Sequence, residues 1–405
     1  MNNLPPVYAS EASAQTSAWT LFFIFLRLGL TSFGGPAAHL GYFRDEFVKR
    51  RGWLDEHTYS DVVALCQFLP GPGSSQVGIA VGRIRGGMWG AFAAWLGFTL
   101  PSVILLVGFA YGYAHFNNAL SLRLLHGLKL AAVAVVAQAV WSMGRTLCPD
   151  RSRASIAVLA TVLVVALGPT YGQIVAILLA GVSGTLVLTM STELPSAPLG
   201  MPGTRVEAGV CIVAFLALLV GLPILSALFP SYALELFSGF FRVGSLVFGG
   251  GHVVLPLLQA VVVPTGWVST NEFLAGYGAA QAIPGPLFTF AAFLGAVGKE
   301  NPSGPAGAAL ATVAIFLPSF LLVGAALPLW GKLRAFTSMR RAMAGINAAV
   351  VGILLAALYD PVWTSAVHGA SDFALAIFAL LLLTSWRVPS WAVVMLTAAL
   401  TFIVF

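Results

Sequence analysis

The stretch LRLGLTSFGGP, Leu26 to Pro36, returns as FRVGSLVFGGG, Phe241 to Gly251, at an offset of 215 residues. Both copies place an arginine in an apolar segment and interrupt that segment with adjacent glycines. Glycine adopts backbone conformations that end a helix, and Pro36 suits the first turn of a new one. Each stretch therefore predicts a membrane helix that breaks and restarts.

Further matches follow the first pair in the same order along the chain. They are Gly52-Trp53 with Gly266-Trp267, Gln67 and Pro70-Gly71-Pro72 with Gln281 and Pro284-Gly285-Pro286, Leu100-Pro101-Ser102 with Leu317-Pro318-Ser319, and Gly127 with Gly345. An ordered series at a nearly constant offset indicates duplication. We predict a tail at 1–17 that is disordered, a first half at 18–190, a polar linker at 191–205 and a second half at 206–405.

The composition requires a lipid-facing surface. The chain of 405 residues is 59% hydrophobic and only 8% charged, whereas soluble domains carry about 25% charged residues. A span needs about 20 mostly apolar residues. The candidate segments are 18–34, 58–82, 87–114, 126–144, 153–168, 171–190, 206–229, 234–262, 271–298, 305–331, 341–359, 371–386 and 388–405. We predict an all-α polytopic membrane protein with about ten to thirteen membrane segments.

The formal charge of +6 comes largely from short basic loops, which membrane topology and lipid headgroups explain. No nucleic-acid-binding motif occurs, and membrane lipid is the expected surrounding. Seven apolar segments separate the starts of the two repeats. The halves are inverted if all seven cross, and parallel if one is re-entrant; we favour inverted repeats with Gly/Pro-broken helices.

Duplicated halves with paired Gly/Pro breaks are typical of secondary transporters, whose substrates bind at the breaks. A helix that restarts there offers free N–H groups and the positive end of its dipole to an anion. After the Pro-Gly-Pro break the first copy adds the donors Ser74, Ser75 and Gln76. The second copy has Leu287, Phe288 and Thr289 instead, so we expect the two sites to differ.

Arg27 lies seven residues before Gly34, and Arg242 lies seven residues before Gly249. Seven residues are about two helical turns, so each arginine shares a face with its break. A guanidinium in a membrane segment usually faces a pathway or a partner, and it matches an oxyanion with paired donors. The alternative is a structural arginine neutralised by a carboxylate or by helix carbonyls.

Four other polar residues are candidates with open roles. Lys129 is either a second cationic contact or a side chain that reaches the interface. His39 and His252 either relay protons or form neutral hydrogen bonds. Asp61 either carries a coupling proton or caps a helix. The charged run 44–51 predicts a loop or an interfacial helix with internal ion pairs.

The chain resembles the chromate ion transporter family over nearly its whole length. The motifs that carry the resemblance are TSFGGP from Thr31, RRGWLD from Arg50, QFLPGP from Gln67, FGGGHVVLP from Phe248, Gly266-Trp267 and FLAGYGAAQAIPGPLFTF from Phe273. The resemblance implies a carrier in the bacterial inner membrane that exports chromate and confers resistance, with sulfate as competitor. A homodimer is compatible with it, and no cofactor or metal is implied.

The family's motifs carry over to matching positions in both copies. In the first they are Arg27, Gly34, Gly35, Pro36, Gln67, Pro70, Gly71 and Pro72; in the second they are Arg242, Gly249, Gly250, His252, Gln281, Pro284, Gly285 and Pro286, to which the break adds Gly251. An acidic residue often follows the Leu-Leu-Gln stretch of the second copy in this family. Here Gln259 precedes Ala260, which argues against a coupling scheme that needs a carboxylate there.

Other classes of function are less well supported by the residues. An intramembrane enzyme needs a metal cluster, an activated nucleophile or paired carboxylates, and the corresponding motifs are absent from the sequence. Cys66, Cys148 and Cys211 have no metal-ligand spacing. A channel, or a transporter of sulfate or another oxyanion, remains an alternative. No nucleotide site occurs, so an ion gradient or exchange must supply the energy.

Overall fold

The computed structural model is helical and describes residues 15–113, 119–189, 202–333 and 336–404. Most of the predicted tail and linker, namely 1–14 and 191–201, lies outside the described residues. At the end of the predicted tail the Thr16 N–H donates to the Arg85 carbonyl at 2.8 Å, and Ser17 caps the first helix.

Seven α-helices lie among the described residues of the first half. They are α1 (Ala18–Thr31), α2 (Gly35–Arg44, continued by a π-helical turn at Asp45–Arg50), α3 (Glu56–Phe68), α4 (Gly73–Tyr113), α5 (Ala119–Leu147), α6 (Arg151–Leu167) and α7 (Pro169–Val187). Helix α3 begins where the Thr58 N–H donates to the Asp55 carboxylate at 2.7 Å. Helix α4 is kinked, because Gly86 and Gly87 leave helical geometry.

The second half begins with α8 and then follows the first half closely. The elements are α8 (Arg205–Leu228), α9 (Tyr232–Leu246), a 3-10 turn (Gly251–Val253), α10 (Val254–Val262), α11 (Thr270–Ala282), a 3-10 turn (Leu287–Thr289), α12 (Phe290–Val297), α13 (Gly304–Ala326), a 3-10 turn (Leu327–Leu329), α14 (Trp330–Leu333), α15 (Thr337–Ala357, continued by a π-helical stretch at Leu358–Trp363), α16 (Ala370–Thr384) and α17 (Ser390–Val404). The candidate segments 58–82, 234–262 and 271–298 are therefore each two helices, because Gly and Pro divide them.

Among the described residues, six helices are long and apolar enough to cross a membrane, and five shorter apolar helices of 10–17 residues accompany them. The prediction of an all-helical polytopic membrane protein is confirmed. Many apolar side chains on the outer helices are exposed: Val206 and Val213 on α8 are 77% and 68% exposed. Lipid is the solvent that suits such a surface.

The two halves exchange helices. Helix α5 of the first half packs on α16 and α17 of the second, while α15 of the second half packs on α6 and α7 of the first. Matched glycines allow the close approach. A Cβ added to Gly127 would lie 2.6 Å from the Ala398 Cα, and one added to Gly345 would collide with the Ala180 carbonyl oxygen. Reciprocal contacts between matched positions indicate a pseudo-two-fold relation between the halves.

The inner helices obey the same relation. Helix α1 packs on α4, and α9 packs on α13. A Cβ on Gly29 would meet the Phe98 carbonyl oxygen at 2.7 Å, and one on Gly244 would meet the Ile315 carbonyl oxygen. The duplication inferred from sequence thus holds in three dimensions. A two-fold relation is compatible with either orientation, so the inverted arrangement stays a prediction.

Candidate functional site

Both Phe-Gly-Gly breaks restart as helices, as the sequence predicts. In the first half Gly34 has φ 99° and caps α2, whose second residue is Pro36. In the second half Gly250 has φ 136° and precedes the 3-10 turn that leads into α10. Side chains other than that of glycine are strained at such φ values. Glycine is therefore required at both helix starts.

Each Pro-Gly-Pro loop is hydrogen-bonded to the Phe-Gly-Gly break of the other half. The Gly71 N–H donates to the Val247 carbonyl at 2.7 Å, and the Gly285 N–H donates to the Ser32 carbonyl at 3.0 Å. Ser32 and Val247 are matched positions in the two repeats. The four interruptions therefore meet near the pseudo-two-fold axis, although 215 residues separate the copies.

A small cavity lies at this meeting point. Its lining contains five of the predicted site residues, together with side chains that the sequence did not single out; they are Gly34, Gly35, His252, Gln281 and Gly285, with Ala280, Ile283, Leu287 and Ser390. Its volume is about 20 Å³, enough for about one water molecule. Backbone N–H groups, an imidazole, an amide and a hydroxyl border it, and no carboxylate is among its lining residues.

Tyr277 is part of this site, although the sequence analysis assigned it no role. The His252 Nδ1 lies 3.1 Å from the Tyr277 hydroxyl, which supports the hydrogen-bonding interpretation of His252. The Gln281 amide also interacts with the Tyr277 hydroxyl, and its buried Nε2 has no partner within 3.5 Å among the described residues. The Nε2 group carries two N–H donors, so at least one of them is available to a bound anion. The sequence feature that could have indicated a role for Tyr277 is the motif that starts at Phe273, because that motif contains Tyr277.

The donors that follow the first Pro-Gly-Pro are used largely within the protein. The Gln76 Nε2 donates to the Pro70 carbonyl at 2.6 Å, and the Ser74 hydroxyl lies 3.2 Å from the His39 Nδ1. His39 is fully buried, in agreement with a hydrogen-bonding role. Ser75 and Ser319 hydroxyls are buried without partners among the described residues. None of these six residues lines the cavity.

The remaining glycines and prolines of the motifs shape the loops. A Cβ on Gly251 would lie 3.0 Å from the Pro36 Cγ, one on Gly71 2.5 Å from the Gln76 Nε2, and one on Gly249 3.3 Å from the Leu147 Cδ1. Pro72 and Pro286 directly precede α4 and a 3-10 turn, and Pro284 is buried. These positions fix close backbone approaches and contribute no side-chain donors.

The two matched arginines have different surroundings. The Arg27 guanidinium lies 3.3 Å from the Glu46 carboxylate, and its side chain is 61% exposed. Arg27 therefore fits the alternative of a structural arginine neutralised by a carboxylate. Arg242 is half-buried and forms no hydrogen bond or ion pair with another described residue. Neither arginine lines the cavity.

Glu46 holds a cluster of arginines, which the sequence signalled only as a charged run. The Arg51 Nε donates to it at 2.7 Å, and Arg50 pairs with it at i+4. Burial raises the pKa of the Glu46 carboxyl, but hydrogen bonds from Arg50 and Arg51 outweigh burial and hold the pKa below its usual range. Of the two predicted alternatives for 44–51, a loop or an interfacial helix, the structure has a helix at Asp45–Arg50, and the predicted internal ion pairs are present.

Three predicted candidates lie away from the cavity. The Lys129 Nζ lies 3.2 Å from the Asn271 Oδ1. Gln67 is exposed in a groove between α2 and α3, unlike its counterpart Gln281. Asp61 lies in the second turn of α3, 3.8 Å from the His57 Nδ1. Asp61 does not cap that helix, because Asp55 does.

Comparisons with known proteins agree with this architecture. The family model described as "Chromate transporter" matches residues 19–185 and 234–402. A chromate transport protein of Pseudomonas aeruginosa is 28% identical over 400 residues, which cover 94% of this chain and 90% of that protein. A probable chromate transport protein of Synechococcus elongatus is 27% identical over 90% of this chain and 88% of its own length.

An uncharacterized transporter of Methanocaldococcus jannaschii is 26% identical over 353 residues, which cover 85% of each chain. No solved structure matches the chain with significance. The two matched ranges run from α1 to α7 and from α9 to α17, and α8 lies outside both.

Proposed function

Because this chain belongs to the chromate transporter family, we propose that it is a secondary carrier that exports chromate across the cytoplasmic membrane of a bacterium and confers chromate resistance. The chain is a multi-pass membrane protein, and its family implies transport rather than enzymatic chemistry. Relatives from two bacteria bear the name chromate transport protein or probable chromate transport protein, which supports the substrate.

The observation that carries the proposal is that helix interruptions of both halves border one cavity without carboxylates among its lining residues. The first Phe-Gly-Gly break, the turn after the second one and the second Pro-Gly-Pro loop line it, whereas the first Pro-Gly-Pro loop does not. Helix starts with free N–H groups attract anions. The buried Gln281 Nε2, which also faces the Tyr277 hydroxyl, offers a further donor. This set of groups suits a tetrahedral dianion whose oxygens all accept hydrogen bonds.

Carrier action is supported by the size of the cavity. Space for about one water molecule is too small for a central atom with four oxygens. An oxyanion therefore enters only when the two halves move apart, which is alternating access rather than an open channel. The cross-half hydrogen bonds of Gly71 and Gly285 have to rearrange in that step.

Sulfate is the second candidate substrate, because it has the shape and charge of chromate. Fit alone discriminates similar ligands by about 10–200-fold. Phosphate carries a proton near neutral pH and needs an acceptor, and the cavity offers it no carboxylate. We expect sulfate to inhibit chromate flux competitively and phosphate to inhibit it far less.

The test is chromate counterflow in proteoliposomes, with sulfate and phosphate as competitors. Gly285→Ala should abolish counterflow, because Gly285 has φ 106° and a Cβ there would lie 2.9 Å from the Ser102 Oγ. Gly52→Ala is the matched control: it also has positive φ, with nothing within 4 Å of its Cβ. Equal inhibition by phosphate, or normal counterflow by Gly285→Ala, would refute this site.

The homodimer, and proton coupling through His39, His252 or Asp61, remain predictions. Mass measurement of the detergent-solubilised protein tests the dimer. Counterflow of the single variants, compared with uptake driven by a pH gradient, tests each coupling residue.

A further inference from the structure

One titratable cluster joins the two halves where their exchanged helices meet. The His126 Nε2 on α5 lies 2.7 Å from the Asp372 Oδ1 at the start of α16. The Asp372 side chain is 7% exposed and that of His126 is 22% exposed. An ionisable pair in a membrane segment is costly and is a candidate for function.

The Asp372 carboxylate is held by hydrogen bonds within the second half. Its Oδ2 accepts the His368 N–H at 2.9 Å and the Gly369 N–H at 3.2 Å, so it also caps α16. His126 comes from the first half and reaches the remaining carboxylate oxygen. Separation of α5 from α16 therefore breaks the His126–Asp372 contact and leaves the cap intact.

Lys129, one turn after His126, is held by the second half as well. Its Nζ lies 3.2 Å from the Asn271 Oδ1 and 3.3 Å from the Ser365 carbonyl. Helix α17 carries no charged residue between Ser390 and Val404. Besides His126, the charged groups and histidines on α5 and on the other elements packed against it are Arg123, Lys129 and Arg145 on α5 itself, Glu272 on α11 in a capping box with Ser269, Arg340 and Arg341 on α15, Asp360 beside Thr364, His368 before α16 and Asp372 on α16.

The cluster exists in one copy only. The repeat offset of 218 at Gly127 and Gly345 places Ala344 opposite His126, Asn347 opposite Lys129 and Ala154 opposite Asp372. A contact needed only to hold the exchanged helices together would be expected twice. Its occurrence once suggests a task that the symmetric scaffold does not need.

We propose that the His126–Asp372 pair is a proton-binding site that links transport to pH. The proposal rests on the carrier function, and it requires α5 to separate from α16 during transport. Histidine titrates near neutral pH. With the proton bound, the contact is an ion pair; without it, a hydrogen bond from the neutral imidazole to the carboxylate remains. The full charge of the imidazolium adds Coulomb attraction to this contact, about tenfold in an equilibrium constant. Proton binding therefore favours the closed arrangement and slows exchange.

The experiment measures equilibrium exchange of labelled chromate in proteoliposomes, with the same pH on both sides, from about pH 5.5 to 8.5. His126→Gln removes the proton site, and His126→Arg keeps a permanent charge. Relative to the unmodified protein, His126→Gln should exchange about tenfold faster at the acid end and equally fast at the alkaline end. His126→Arg should exchange slowly at every pH, and at the alkaline end it should be about tenfold slower than the unmodified protein.

The protonation of chromate changes with pH in the same way for every variant. The ratio of a variant's exchange rate to that of the unmodified protein therefore reports on the protein alone. His57→Gln is the matched control, because His57 faces Asp61 within one helix and joins no halves; its ratio should not change with pH. If His126→Gln and His126→Arg behave alike at every pH, or if His57→Gln shows the predicted change, the proposal is wrong. In both cases exchange by the unmodified protein would leave the carrier function standing.

A second measurement does not depend on transport. The melting temperature of the detergent-solubilised protein should exceed that of His126→Gln at the acid end and match it at the alkaline end. A constant difference would overturn the proposal even if no chromate exchange were found.

Discussion

The glycine contacts between exchanged helices allow a sharp test of the packing. Gly127 and Gly144 lie on the same helix, α5. A Cβ on Gly127 would lie 2.6 Å from the Ala398 Cα and 2.9 Å from the Thr401 Oγ1, whereas one on Gly144 would lie 3.9 Å from its nearest neighbour. Replacing each by alanine gives the same gain in helix propensity, about 1 kcal/mol. The difference between the variants therefore measures the contact alone.

The magnitude follows from the distances. Carbon atoms pack best at about 3.5–4.0 Å, so Gly127→Ala requires α5 and α17 to separate by about 1 Å. A gap of that size forfeits about a quarter to a half of the dispersion energy of the affected contacts. The Ala398 Cα is backbone and cannot rotate away. We expect Gly127→Ala to be less stable than Gly144→Ala by about 1–3 kcal/mol.

The assay is thermal unfolding of the two purified variants in the same detergent, followed by tryptophan fluorescence. The expected difference in Tm is about 2–6 °C, at about 2 °C per kcal/mol for a large chain. Gly345→Ala should resemble Gly127→Ala, because its Cβ would collide with the Ala180 carbonyl. Equal Tm values for the variants at Gly127 and Gly144 would refute the reciprocal packing.

Three further predictions concern charge and topology. Glu46→Gln should make the folding stability less sensitive to acid. The pKa of Glu46 is lowered in the folded protein, so the stabilisation by its ion pairs is present at neutral pH and is lost as the pH falls through that pKa. Melting scans across the acid range test this, and an unchanged pH profile in the variant would contradict it. Arg242→Ala should lose transport although it reaches the membrane at normal levels, whereas Arg27→Ala should retain more transport, because Glu46 already neutralises Arg27. Chromate flux into vesicles, divided by the amount of transporter in the membrane, measures this difference. Normal flux by Arg242→Ala would show that Arg242 is not part of the pathway. Single cysteines at the exposed Gly52 and Gly266, in a cysteine-free background, should react with impermeant reagents from opposite sides of the membrane, and labelling of both from one side would exclude inverted repeats.

Sequence alone determined the helical membrane class, the duplication and the positions of the breaks. Each of these properties depends on residues that are close together in the chain, or on the order in which motifs follow one another along it. Hydropathy over about 20 residues identifies a span, and glycine or proline ends a helix wherever it lies, as at Gly34 and Gly250. The ordered matches between the halves required no structure. The charged run at 44–51 likewise predicted ion pairs, because its charges are close along the chain.

Tertiary structure alone decided which of the matched residues share a site. Gln67 and Gln281 occupy the same place in their repeats, yet one lies in a groove and the other borders the cavity. Arg27 and Arg242 also match, but only Arg27 meets a carboxylate. Nothing in the local sequence distinguishes the members of each pair. Their surroundings are supplied by elements that differ between the repeats.

Contacts between the halves had no sequence signal at all. The Gly71 hydrogen bond to Val247 and the His126 contact with Asp372 join residues far apart in the chain. The sequence does not show which carbonyl a backbone N–H will bind. Nor does a histidine within an apolar helix indicate which aspartate will face it. Those partners are set by the exchange of helices between the halves, which brings α5 against α16 and each loop against the opposite break.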